Sequence, residues 1–185
     1  MTTLLIPGYR GSENGHWQRQ WLRDDPNAHL VEQDDWNAPT LSQWLHVLEA
    51  RLAETPGAVL VAHSLGSILV AHLAGRPSAA HVAGALIVAP ADVERMAAAD
   101  KTFESFAPLP RQKLSFPAIV VASRDDPYMS FNKAKALSEV WGAGFVDLGN
   151  AGHINIDSGH GAWPEGHILA GSLVRPQHSG ERAAA

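Results

Sequence analysis

Three short runs, Val59-Leu-Val61, Leu86-Ile-Val88 and Ile119-Val-Val121, are apolar at every position. Successive side chains of a strand point to opposite faces, so such a run suits a strand covered on both sides. The arrangement that provides this is a parallel sheet between layers of helices. With weaker runs included, the candidate strands are Thr2–Ile6, His29–Glu32, Ala58–Ala62, Ala85–Ala89, Ala118–Ala122 and Phe145–Leu148. Amphipathic segments lie between them. Thr40-Leu-Ser-Gln43 reads as a capping box that opens a helix with Leu41, Trp44, Leu45, Leu48 and Leu52 on one stripe. Ser64–Gly75, Phe131–Trp141 and Gly166–Val174 are further helices, with Gly142 closing the second. The alternation predicts an α/β fold: a doubly wound, mostly parallel six-stranded sheet flanked by helices in three αβα layers. Right-handed crossovers then bring the strand C-terminal ends to one edge, where such sheets bind ligands.

A single domain is expected over residues 1–175, with 176–185 as a flexible tail. Residues 92–111 are the least regular, readable as a short helix and a proline-bearing excursion over the active edge. The chain carries 14 Lys+Arg against 19 Asp+Glu, a formal charge of −5, and no basic run. That balance argues against a nucleic-acid partner, whose phosphates need neutralising. The absence of cysteine excludes disulfides, thiolate catalysis and Cys-ligated metal. No apolar run approaches the roughly 20 residues needed to span a bilayer. The start, Met1 to Gly8, lacks a basic segment and reads as a first strand. A cytoplasmic protein without membrane attachment is the expectation.

The strongest local motif is Ala62-His-Ser64-Leu-Gly66, with a buried strand before it and a helix after it. This is the strand–turn–helix setting of a nucleophile elbow, which needs small residues around the serine. Ala62 stands where glycine is usual, one methyl larger. A serine hydroxyl needs a base, and the base an orienting carboxylate. Ser123-Arg-Asp125-Asp126-Pro127 follows one predicted strand, and Asn150-Ala-Gly-His153 follows another. Ser64, Asp126 and His153 are therefore the candidate triad, in the chain order Ser…Asp…His. Asp126 is preferred to Asp125 because it sits where hydrolases place the carboxylate of Asp-x-x-Val-Pro. The loop after the first strand, Pro7-Gly-Tyr-Arg-Gly-Ser12, is placed to supply an oxyanion donor through the amide of Tyr9, with Arg10 second. The amide of Leu65 is the other donor, exposed at the start of its helix.

These segments, with His16-Trp17, Gly152-His-Ile-Asn155, Ser158-Gly-His-Gly161 and Trp163-Pro-Glu-Gly166, resemble the small lidless α/β-hydrolases of the YdeN type, related to retinoblastoma-binding protein nine. The resemblance runs from about Leu4 to Val174. It implies a reduced α/β-hydrolase fold with sheet order 2-1-3-4-5-6. It also implies a Ser-His-Asp hydrolase with esterase-like activity on small acyl substrates.

The expected activity is cleavage of small carboxylic esters or thioesters through an acyl-enzyme, without a cofactor. Peptidase chemistry would use the same residues. A different class of function, a partner-binding protein on a hydrolase scaffold with slow or vestigial catalysis, is compatible with the same motifs. Activity should fall on acidification, since the base must be neutral. An open site without a lid favours short acyl groups. His16 and Trp17 are candidate pocket residues; Trp163 is placed either to brace the His153 loop or to wall the pocket. Trp21, Trp44 and Trp141 read as core. His153, His160 and His167 with Asp157 lack a regular scaffold for a metal, and none is expected. His63 should point away from Ser64 and be structural.

Overall fold

The computed structural model describes residues 1–174, so the tail expected at 176–185 lies outside the described residues. In chain order the elements are β1 (Thr3–Ile6), α1 (Trp17–Asp24), β2 (Ala28–Leu30), α2 (Leu41–Glu54), β3 (Ala58–His63), α3 (Leu65–Ala71), β4 (Val82–Val88), α4 (Val93–Ala99), β5 (Ala118–Ala122), α5 (Phe131–Trp141), β6 (Gly144–Asp147) and α6 (Pro164–Ser172). Short 3₁₀ segments cover Pro77–His81 and Lys101–Phe106. All the strands are parallel, in the order β2-β1-β3-β4-β5-β6.

The period of two divides each central strand between two cores. Leu4, Ile6, Leu60, Ala62, Ile87 and Val120 face Trp44, Leu48 and Leu52 of α2, Ile68 of α3, and Leu137 and Trp141 of α5. Leu5, Val59, Val61, Leu86, Val88 and Val121 face Trp17 and Trp21 of α1 and Ala170 of α6. The apolar runs are thus covered on both sides, and the strand C-terminal ends share one edge.

Three local expectations change, and one helix is new. The capping box at Thr40 is not made: its hydroxyl donates to Gln43 Oε1 at 2.7 Å, while the Leu41 amide donates to Ser105 Oγ at 3.1 Å. A distant serine satisfies an orphan donor of the helix start instead. Helix α1 was not legible, because its buried face includes Gln18 as well as Trp17 and Trp21. The Gln18 side chain is nevertheless satisfied, donating to Ile6 O and Val61 O and accepting from Ser12. Helix α3 ends at Ala71, and its continuation tightens into bonds such as Leu73 N to Val70 O at 3.0 Å. Strand β4 begins at Val82, through Gly84, where a Cβ would lie 2.8 Å from Leu173 Cβ. That glycine interrupts the apolar run because the end of α6 passes over it.

Candidate active site

The site is assembled from the ends of β1, β3, β5 and β6. Ser64 leaves β3 with φ 55° and ψ −121°. A non-glycine residue in such a conformation costs about 1–3 kcal/mol, so its surroundings must impose it. Two glycines make room. A Cβ on Gly66 would collide with Ile6 O and lie 2.5 Å from Pro7 O, and one on Gly8 would lie 2.8 Å from Ser64 Cβ. The β1 loop therefore packs directly on the elbow. The extra methyl of Ala62 is absorbed in the core on the α2–α3–α5 face.

His153 Nε2 lies 2.9 Å from Ser64 Oγ, and its Nδ1 lies 3.0 Å from each oxygen of Asp126. The matching tautomer donates from Nδ1–H to the carboxylate and accepts the serine hydroxyl at Nε2. Asp126 Oδ1 also accepts from the Tyr128 amide at 2.8 Å. Asp125 points elsewhere. Its Oδ1 accepts from Ser123 Oγ at 2.6 Å and from Gly152 N at 2.8 Å, which joins the end of β5 to the His153 loop. The Ser123 hydroxyl, then the Gly152 amide, hold the Asp125 carboxyl below the usual carboxylate range.

Of the two β1-loop amides considered, that of Arg10 is occupied, donating to Trp36 O at 3.0 Å. The amides of Tyr9 and Leu65 meet no acceptor among the described residues.

The loop that carries His153 is held from below. His63 Nε2 donates to His153 O at 2.9 Å, and Trp17 Nε1 donates to Ile154 O at 2.8 Å. Ile154 has φ 51°, unfavourable for a β-branched residue, so both donors fix a strained turn. Trp163 packs edge-on against Trp17 with centroids 5.2 Å apart. Neither Trp17 nor Trp163 lines the cleft above Ser64, so both brace the loop and neither walls the pocket. His63 does not bond Ser64, in keeping with a structural role, although its ring also forms part of the cleft wall. Its support of the histidine loop carried no sequence signal. His160 edges Trp163, and His167 stacks on Trp21.

The cleft above Ser64 measures about 480 Å³. Met96, Ala99 and Phe103, from α4 and the 3₁₀ segment after it, give it an apolar wall with Tyr9. Residues 92–111 thus do reach the active edge. His16, His63 and Asn155 make the wall polar elsewhere.

Burial, followed by the nearby His153, lowers the pKa of His16 to about 4 and holds His63 well below the usual range. An unfolded chain takes up protons on both below about pH 6.5, whereas the folded chain resists. Unfolding therefore binds protons and stability falls as pH drops through that window, with His16 alone contributing roughly 2–3 kcal/mol by pH 4.5. Urea unfolding should show a clearly lower midpoint at pH 4.5 than at pH 7. Equal midpoints would contradict these burials.

A family model described as serine hydrolase matches residues 3–171. Among solved structures, a YdeN-like hydrolase from Pectobacterium atrosepticum is 32% identical over 94% of this chain and 90% of its own, with a TM-score of 0.82. The ydeN gene product of B. subtilis is 21% identical over 93% of this chain and 97% of its own, at 0.73. Est1E from Butyrivibrio proteoclasticus, solved with ferulic acid, shares the fold at 12% identity, covering 94% and 86%, at 0.67. No curated protein compared with the chain matches it. With a family match that spans nearly every described residue, the chain belongs to the serine hydrolase family and is a hydrolytic enzyme of the α/β-hydrolase fold.

Proposed function

We propose that the protein cleaves small carboxylic esters or thioesters through a covalent acyl-enzyme on Ser64. The observation that carries this reading is the continuous relay from Ser64 Oγ through both nitrogens of His153 to Asp126, at 2.9 and 3.0 Å. Ser64 attacks the carbonyl carbon while His153 Nε2 takes its proton, and Asp126 stabilises the resulting imidazolium. The Tyr9 and Leu65 amides receive the oxyanion, each donor worth on the order of 3 kcal/mol. The leaving alcohol or thiol takes the proton from His153. Water, deprotonated by the same nitrogen, then releases the acid and restores the serine.

The test is a fluorescent fluorophosphonate, read by intact mass on wild type and Ser64→Ala. Stoichiometric labelling that disappears in the variant is expected. A folded wild type that stays unlabelled would overturn the proposal.

The apolar wall is short and the cleft open, so acyl length should matter. Butyryl esters should exceed palmitoyl esters in kcat/KM by roughly tenfold or more, read with a matched p-nitrophenyl series. Equal rates would contradict the assignment of the Met96–Phe103 wall to the acyl chain.

A further inference from the structure

His16 does two jobs with its two nitrogens. It is the N-cap of α1, where Nδ1 accepts from the Gln18 amide at 3.2 Å. A neutral imidazole whose Nδ1 is an acceptor carries its proton on Nε2. The ring cannot swing away: it lies 4.9 Å from the His63 ring and 5.1 Å from that of Trp17, and the residue is only 5% exposed. Burial keeps the ring neutral at ordinary pH, since its pKa lies near 4.

Nε2 has no acceptor among the described residues, yet it is not one of the enclosed polar atoms lacking a partner, such as Trp21 Nε1. The exposed sliver of His16 belongs to the wall of the cleft that holds Ser64 and His153. A fixed, neutral donor therefore meets the same substrate space that Met96 and Phe103 line. The exposed charges around the cleft are Glu13, Asp100 and Asp157 against Arg10, an excess of carboxylates that disfavours an anionic ligand. The complementary group is an uncharged oxygen.

We propose that His16 is a specificity-determining residue whose Nε2–H binds a hydroxyl or carbonyl oxygen of the substrate, so that short esters with such an oxygen are preferred. The inference rests on the proposed esterase reading and narrows its substrate class. A bound ester without the oxygen would strip water from this donor and return nothing, which is how polar sites reject deoxy analogues.

Three esters separate the possibilities: ethyl butyrate, 2-hydroxyethyl butyrate and ethyl 3-hydroxybutyrate, with hydrolysis followed by pH-stat. Wild type should favour one hydroxylated ester over ethyl butyrate by about tenfold in kcat/KM, and the favoured ester identifies the arm that reaches His16. Monoethyl succinate, the anionic control, should be slower than ethyl butyrate.

Two variants split the nitrogens. His16→Asn supplies a good N-cap oxygen but is too short to place a donor in the cleft, so it should keep its thermal midpoint and lose the preference. His16→Gln can place an amide N–H near the Nε2 position and sacrifices the cap, so it should keep most of the preference at a lower midpoint. A merely structural histidine predicts the reverse order. The proposal is overturned if wild type labels with fluorophosphonate but shows no hydroxyl preference, or if the preference survives in His16→Asn. A wild type that fails to label removes the esterase reading and this inference with it.

Discussion

Ser64→Ala should lower kcat on aryl esters by on the order of 10⁵-fold or more, because in the proposed mechanism the nucleophile and its base act as one unit. The same position should reveal what the elbow costs. Ser64 is held at φ 55°, a conformation that glycine adopts without penalty, so Ser64→Gly should be equally inactive yet more stable by about 1 kcal/mol. Thermal unfolding of wild type and both variants checks this. A glycine variant less stable than the alanine variant would mean that the backbone here is not strained, and substantial turnover by Ser64→Ala would remove Ser64 from the mechanism.

Asp126→Asn is the second large effect, about 10⁴-fold in kcat, and its cause is a tautomer. Asp126 Oδ1 accepts from the Tyr128 amide, and both carboxylate oxygens face His153 Nδ1. An asparagine that keeps its oxygen on Tyr128 N–H must turn its NH₂ toward Nδ1. The proton then moves to Nε2, which can no longer accept from Ser64. Asp125→Asn should cost roughly tenfold at most, since Asp125 bonds Ser123 and Gly152 and does not touch the imidazole. Steady-state kinetics on the two purified variants decides the assignment; a larger loss in Asp125→Asn would reverse it.

The acid sensitivity expected from His16 and His63 differs in kind from any loss of activity at low pH. It comes from protonation of the unfolded chain and would appear in an inactive Ser64→Ala protein as well. Measuring unfolding in that variant separates the two.

Much of the architecture was legible because it is written locally. Runs such as Leu86-Ile-Val88 state by themselves that both faces are covered, and α5 is bounded by Ser130 and by Gly142 at φ 68°. The order of motifs along the chain pointed to Ser64, Asp126 and His153 because each follows a strand, and parallel strands end on one edge. Choices between adjacent residues were legible only as preferences, for Asp126 over Asp125 and for the Tyr9 amide over that of Arg10. Asp125 and Asp126 have the same chemistry one position apart, and which one faces the imidazole depends on how the distant His153 loop folds back on the end of β5. Tyr9 and Arg10 differ only in that Trp36 O, from another loop, occupies the Arg10 amide.

The same reason explains the missed helix and the reading of Trp17. Helix α1 hides its period because Gln18, buried among Trp17 and Trp21, is made tolerable by acceptors on β1 and β3. Trp17 read as a pocket residue from its place near the β1 loop, and Trp163 as either a brace or a wall, but both rings turn beneath the His153 loop. Sequence alone determined the layers, the strands and the residue types able to carry the chemistry, since these follow from the periodicity of burial. Tertiary structure decided which amide is free, which carboxylate meets the imidazole and which histidine nitrogen faces the cleft, since a hydrogen bond is settled by atoms that distant segments bring within about 3 Å.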